Sequence, residues 1–583
     1  MHKILNIRLL CLLLCVIMLL GVVLTSCGEK TNEEKAEEIK QEASEEARTL
    51  AMYLMSEKQV SESTRQSIEN AINRITKSKF TAQIKLYIYT EEEYYDKLEG
   101  AFAKRDEAKA LGLLGSASEE KETDLSTETS DEPQSAVEIE YPEIADYQVD
   151  IFYLGGEARY QKYVKDQRLK ELTNNLSESG DGKMTRKFVS PSFFTAIEKM
   201  NSGRIHAVPT NKRIGEYTYL LLNKEALAHA RRDEVPFNSA SYTSLTCEDT
   251  KDFLEYIKQY YSEDYAPLYT NLEEKELLIN NLKFWGVDDN GELSEAFSVL
   301  GNYFDGSATI GQGGAYSAKI ENLFENDRFC ADLETLFAYK NGGYYQAAGD
   351  TRDFAVGYVK GGAELAELYS DQYEVVVVER PTLKAEEAYS DMFGVCAYSS
   401  DAARSVEILT HLNTNEEFRN LILYGIEGTH YNLRQVRVDG ESASSDEDGE
   451  TFKVVERLLI GTEEEYKMSV HKTGNELLAY PEEGTAAPNV NDYSVIQNRD
   501  AKVDLYAGFT YTNGADDMRA IKELSEGILN DFLSATDFAA FLSGAKATVK
   551  GSTAVTNMLS SEKDAKSLQN ALATWITNNR FNK

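Results

Sequence analysis

The side chains with the greatest capacity for chemistry are few and scattered. Six histidines, His2, His206, His229, His411, His430 and His471, stand in no HExxH or comparable ligand spacing, and no CxxC pair exists. A zinc site is therefore not expected. Two acidic loops, Asp288 to Glu292 and Asp446 to Glu450, faintly resemble calcium loops. The first lacks an acid at position one, the second has Ser444 there, and neither supplies the twelfth-position Glu, so both read as solvated turns. A Walker phosphate loop and a GxSxG nucleophile elbow are absent. Lys472-Thr473-Gly474 and the SxxK of Ser560 to Lys563 match fragments of penicillin-binding motifs, but in reverse order and without SDN, which chance explains. Paired carboxylates for glycoside hydrolysis cannot be picked out of 98 acidic residues without geometry. The expectation is a chain with no catalytic residue, no metal and no cofactor.

One cysteine does have a chemical context. Lys3 and Arg8 precede an apolar run from Leu9 to Leu24, which ends in Thr25, Ser26, Cys27 and Gly28. The run is about 16 residues, short for a spanning helix of roughly 20, and it ends in small residues rather than a basic stop. Residues 1–26 therefore read as a signal peptide. Leu-Thr-Ser-Cys resembles the lipobox of bacterial lipoproteins, which implies that Cys27 is diacylated and becomes the first mature residue. Two acyl chains anchor a protein stably. The expected location is the outer face of a cell membrane, and retention by lipid rather than by a periplasm points to a Gram-positive host. Of six cysteines, Cys11 and Cys15 lie in the leader, so Cys247, Cys330 and Cys396 remain as isolated thiols rather than a disulfide framework.

Composition bounds the rest. A chain of 583 residues with 42% hydrophobic content can build two to four folding units. Its formal charge of −37 argues against nucleic acid and against anionic headgroups, and reads as a solvated surface. Glu29 to Ser78 reads as a tether and helical segment, with Leu50, Met52, Leu54 and Met55 taken as helical. Thr81 to Tyr89 alternates like a strand and Glu91 to Leu113 follows as a helix. Ser116 to Glu140 is too polar to repay the entropy of ordering and is expected to be a disordered acidic insertion. Further strands are expected at Val149 to Leu154, Arg204 to Val208, Tyr217 to Asn223, Tyr265 to Tyr269, Phe354 to Val359 and Glu374 to Glu379. Helices are expected at Glu157 to Lys165, Thr250 to Tyr261, Glu273 to Phe284 and Ala363 to Tyr369. The alternation predicts an α/β architecture with open sheets, and no repeat period suggests a solenoid.

Several stretches in order resemble one family. AVPTNKRIGEYTYLLLNKEAL from Ala207 to Leu227, the segment Met392 to Tyr431 ending in Gly-x-x-Gly-x-x-Tyr, TGNELLAYPEEG from Thr473 to Gly484, and DIFYLGGEARYQKYV from Asp150 to Val164 are similar to extracellular solute-binding proteins of family 1, the receptors of ABC importers. The resemblance thins in the acidic insertion and after Gly514. It implies two α/β lobes of the type II periplasmic-binding-protein fold, hinge-connected, with ligand held between them. On that reading residues 27–78 are the tether and helical segment, 79–208 the first part of lobe one, 209–380 the main part of lobe two, 381–514 the return to lobe one with interlobe helices, and 515–583 a helical region of unassigned lobe. Matching the family's pattern puts candidate ligand contacts at Glu91, Gly155, Gly156, Glu157, Glu216, Tyr217, Tyr269, Asn271 and Tyr358. Each has a plainer role open to it: Glu91 could cap a helix, the glycines a tight turn, the tyrosines packed strand positions, and Trp285 reads as core. The resemblance implies a monomeric receptor that captures a small polar solute, a sugar above all, and delivers it to permease subunits. A surface polysaccharide hydrolase and a noncatalytic signalling lipoprotein reusing the fold stay open beside it.

Overall fold

The computed structural model describes residues 47–111, 140–235, 244–303, 319–437 and 450–578, apart from short gaps at 274–275, 280, 288–292, 295, 461–462, 465, 485–488, 505, 510, 512 and 563–565. The leader, Cys27 and the acidic insertion up to residue 139 lie outside the described residues. Among those described, no helix is long and apolar enough to cross a membrane, and Cys247, Cys330 and Cys396 are free thiols.

The chain forms two α/β lobes built on open mixed sheets. Nine strands carry them: β1 Arg48–Ser56, β2 Ala82–Thr90, β3 Ile151–Leu154, β4 Ala207–Pro209, β5 Tyr217–Asn223, β6 Tyr265–Thr270, β7 Asp353–Gly361, β8 Tyr373–Glu379 and β9 Met392–Val395. The first sheet has the order β2-β1-β3-β9-β4, with β1 parallel to β2 and β3, and β9 antiparallel to β3 and β4. The second has the order β8-β5-β7-β6, with β5 antiparallel to β7 and β8, and β6 parallel to β7. Leu50, Met52, Leu54 and Met55 thus belong to a strand, where the sequence pattern suggested a helix. Every residue from Thr49 to Ser56 is buried. A strand inside a sheet covered on both faces needs apolar residues throughout, and such a run carries no alternation to distinguish it from a buried helix.

Local signals set the flanking helix. Ser61 caps Glu62–Phe80 by accepting from the Thr64 N–H at 3.1 Å, with Glu62 in the first turn and Lys77 and Lys79 in the last. Its polar stripe does unusual work at the free edge of β2. Asn73 pairs with both the N–H and the carbonyl of Ile84, at 2.6 and 2.9 Å. One turn earlier, Glu69 accepts from the Leu86 N–H at 2.7 Å and Arg65 donates to the Leu86 carbonyl at 2.9 Å. Side chains one turn apart stand where a neighbouring strand would, and close the edge.

The second lobe is larger than its four-stranded sheet. Leu282–Phe284, Leu300–Tyr303 and Glu321–Asn322 form a small sheet, so the helix expected over Glu273 to Phe284 does not form. Two polar hydrogen-bonding positions explain the change: Trp285 is fully buried and its indole N–H donates to the side-chain amide oxygen of Asn302 on the facing strand. A buried indole must find such a partner. The ring packs edge-on to Tyr506 at 4.8 Å and Phe509 at 5.8 Å, confirming it as core. Helices Ala515–Ser534, Phe538–Gly551, Thr553–Leu559 and Leu568–Asn578 share this core through Ile521, Ile528, Val549 and Leu572. The C-terminal region is thus packed on the second lobe.

Asp150, fully buried just before β3, unites the first lobe. It accepts from the Ala51 N–H at 2.8 Å, the Ser400 N–H at 2.7 Å and the Ser399 hydroxyl at 2.5 Å. Removing it strands the buried Ala51 N–H and also takes the acceptor from the Ser400 N–H. Asp150→Ala should therefore cost about 3 kcal/mol, read as a fall in the urea midpoint of the first-lobe transition with no change in its m-value.

Candidate functional site

Strand direction fixes where the site must be. In the first sheet β1, β2, β3 and β4 all end, and β9 begins, at one edge, formed by Ser56, Thr90, Leu154, Pro209 and Met392. In the second sheet β6, β7 and β8 end, and β5 begins, at another edge, formed by Thr270, Gly361, Glu379 and Tyr217. The chain passes directly between these edges twice, through residues 210–216 and 380–391. Seven residues span at most about 25 Å, so the two carboxyl edges are held facing one another. That is the location at which open α/β sheets bind ligands.

The first crossing is splinted by a helix. Residues 210–216 lie outside the strands of both sheets, and their peptide groups need partners. Two adjacent buried amides of helix Val490–Asp500 supply them. Gln497 donates to the carbonyls of Ile214 and Gly215 and accepts from Arg213 at 3.0 Å and the Ala363 N–H at 3.1 Å. Asn498 accepts from the Ile214 N–H at 2.9 Å and donates to the Lys212 carbonyl at 2.7 Å. A third crossing follows: Lys502–Val503 pairs in parallel with Thr382–Leu383 of the second. Asp504 then meets Lys199 of the first lobe through its carbonyl at 3.3 Å and Lys283 of the second through its carboxylate at 3.3 Å.

A recess of about 390 Å³ opens at the second-lobe side of the crossing, among Arg213, Glu216, Asn271, Lys360 and Glu364. Arg213 reaches Glu364 at 2.5 Å, and its guanidinium fills the space that a Cβ on Gly362 would take. A side chain at 362 would displace the flexible end of this arginine. On the facing edge, Lys212 lies 3.6 Å from Asp391, and Asp391 accepts from the Tyr153 hydroxyl at 2.7 Å, which ties the first crossing to the second. The loop 469–476 brings Lys472 onto Glu91 and His471 to 2.5 Å from Glu476. This loop hangs on Arg419, fully buried, which donates to the carbonyls of Asn475 at 3.0 Å and Val470 at 2.9 Å. Burial pushes that guanidinium down to about 10.

The candidate residues divide between the two edges. Glu91 is the first residue of helix Glu91–Ala110, directly after Thr90 at the N-cap position, and is exposed at the first edge. Gly155 and Gly156 form the turn after β3, with a positive φ of 88° at Gly156 and its N–H donating to the Tyr389 carbonyl at 2.7 Å. Glu157 opens the next helix. At the second edge Glu216 is exposed in the recess, while Tyr217 is buried and donates to Asp500 at 3.2 Å. Asn271 lines the recess, but its amide is engaged with the Lys360 peptide, donating at 2.7 Å and accepting at 2.9 Å. Tyr269 is half-buried next to Thr270 at this edge, while Tyr358 lies deeper in its strand. Tyr269 stacks on Phe354 at 4.8 Å across the sheet, and Tyr358 is 3% exposed in the core beneath it.

Lys212, Arg213, Lys360, Glu364, Asp391, His471 and Lys472 were missed by sequence reasoning. Lys212 and Arg213 lie inside the quoted motif of Ala207 to Leu227, and Lys472 within the Lys-Thr-Gly triplet ascribed to chance. Placement in a crossing segment is the signal that could have found the first two. Lys472 and Glu91 are 381 residues apart, and no local pattern connects them.

No family model matches the chain, and no curated protein does. Among solved structures it is similar along nearly its whole length to solute-binding proteins. An N-glycan transport solute binding protein (NgtS) from Streptococcus pneumoniae aligns over 91% of this chain and 99% of its own, at 17% identity and a TM-score of 0.45. An extracellular solute-binding protein from Bifidobacterium longum subsp. infantis aligns over 91% and 98%, at 13% identity and a TM-score of 0.39. The sugar-binding protein MalE from Xanthomonas citri aligns over 92% and 100%, at 10% identity and a TM-score of 0.31.

Two outcomes follow from this geometry. Hydrogen bonding to Glu476 raises the His471 pKa above its ordinary 6.5. The stabilisation it gives is then complete below the unfolded pKa and is lost as pH rises through the folded one. An NMR titration of His471 should show a midpoint above 6.5 that returns toward 6.5 in Glu476→Gln. Gly362→Ala should expel the Arg213 guanidinium and cost about 1–3 kcal/mol, read as a lowered melting temperature that Arg213→Ala in the same chain largely restores.

Proposed function

We propose that this chain is an extracellular receptor, tethered by lipid on Cys27, that captures a carbohydrate in the interlobe cleft and delivers it to the permease of an ABC importer without covalent chemistry. The observation that carries this reading is the opposition of two carboxyl strand edges across three chain crossings. Such a site gains contacts from both lobes when they close, so binding and lobe closure are coupled. Hydrogen-bonding groups stand at both edges: Glu91 and Asp391 on one, Glu216 and Lys360 on the other. Polyhydroxylated ligands need many acceptors and donors at fixed positions, and this edge chemistry supplies them. The family motifs around Ala207 to Leu227 and Met392 to Tyr431 support the same reading, and the tether would keep the receptor at high effective concentration near its permease.

Thermal unfolding against a panel of soluble oligosaccharides and other small solutes tests it. A ligand present at 100 times its dissociation constant should add about 2.7 kcal/mol of stability. If no sugar raises the melting temperature, the receptor reading fails. If a glycan is shortened during incubation, the chain is a hydrolase instead.

A further inference from the structure

Charge at the facing edges narrows what the cleft can hold. Two cations line the second-lobe recess, Arg213 and Lys360. Each already faces a carboxylate, Arg213 with Glu364 at 2.5 Å and Lys360 with Glu276 at 3.3 Å. Glu216 lines the same recess, exposed and without a cationic partner among the described residues. The first-lobe edge repeats the pattern. Lys212 is matched by Asp391 and Lys472 by Glu91. Arg159, beside Gly155, is engaged differently: its guanidinium lies 3.4 Å from the centre of the Tyr95 ring and donates to the Gly155 carbonyl at 2.7 Å.

An acidic ligand entering this cleft would have to take a cation from a carboxylate that keeps its own charge. The displaced carboxylate, half-exposed in the open recess, would then stand beside the ligand's own negative charge with exposed Glu216 close by, and that repulsion grows as closing lobes exclude water. The formal charge of −37 adds a repulsive field at longer range. An uncharged polyol meets neither penalty, because paired carboxylates and ammonium groups still have lone pairs and protons to offer its hydroxyls.

We infer that the cleft selects uncharged glycans and rejects those bearing carboxylate, sulfate or phosphate. This rests on the carbohydrate-receptor reading above and names the substrate class of the same site. Glu216 is the specificity-determining residue, as the recess carboxylate left without a counter-charge.

Calorimetric titration of the whole protein with matched sugars tests the inference. One set holds neutral oligomers of hexoses and N-acetylhexosamines, lactose and galactotriose among them. The other holds acidic counterparts of similar length, 3′-sialyllactose and trigalacturonate among them. The tightest ligand should be neutral, and its acidic counterpart should bind about tenfold more weakly or worse at low ionic strength. Added salt should narrow that gap by screening the repulsion. Glu216→Lys should narrow it too, by strengthening the acidic member, while Glu216→Gln should do so less. An acidic sugar that binds as tightly as any neutral one overturns the inference and leaves the receptor reading intact. Absence of binding by both sets overturns the receptor reading and the inference with it.

Discussion

Residues 210–216 leave one sheet and enter the other, and the molecule is organised around satisfying that stretch of largely buried backbone outside both sheets. A peptide group buried without a partner costs about 1–3 kcal/mol, and several of them lie in this crossing. Gln497 and Asn498 supply the missing partners from a helix that the chain reaches only after completing most of both lobes. Gln497 is also bonded to the second lobe at Ala363, and the Asn498 carbonyl accepts from Ser190 of the first at 3.4 Å. Neighbouring residues on one helix therefore hold opposite lobes. The facing of the two carboxyl edges, and so the cleft itself, depends on this arrangement.

The elements most legible in the sequence were those with one apolar face or a defined cap. β5 lies at the expected residues, and Asn223 both ends the strand and caps the helix Lys224–Arg232 that follows, accepting from Glu225 and Ala226 at 3.0 Å. The helix Glu157–Lys165 begins after the glycine turn as expected. β1 was misread because a strand buried on both faces has no period, and Glu273 to Phe284 because its apolar residues serve a small sheet and a buried indole rather than a helix face. The lobe of the C-terminal helices was open because their partners, Trp285 and Phe324, lie more than two hundred residues earlier.

The candidate site was legible to the level of strand ends and no further. Reading Glu91, Gly155, Gly156, Glu157, Glu216 and Asn271 as residues at carboxyl edges agrees with the strand directions observed. Which way a side chain points, and whether it is already engaged, follows from three-dimensional neighbours. Asn271 has the right chemistry for a hydroxyl, yet its amide completes the Lys360 peptide. Tyr358 lies inside its strand, short of the carboxyl edge at Gly361, and its ring packs into the second-lobe core. The ion pairs that set the charge of the cleft join residues far apart in the chain, and only folding reveals them.

The stripe of Arg65, Glu69 and Asn73 on the edge of β2 has a consequence outside binding altogether. Copies of a protein at high local density present their sheet margins to one another, and an open margin templates strand exchange. Here three polar side chains impersonate the next strand, so the margin is spent before a neighbour arrives. Lesions in that stripe would leave the apolar core intact and would surface instead as poor yield and short shelf life.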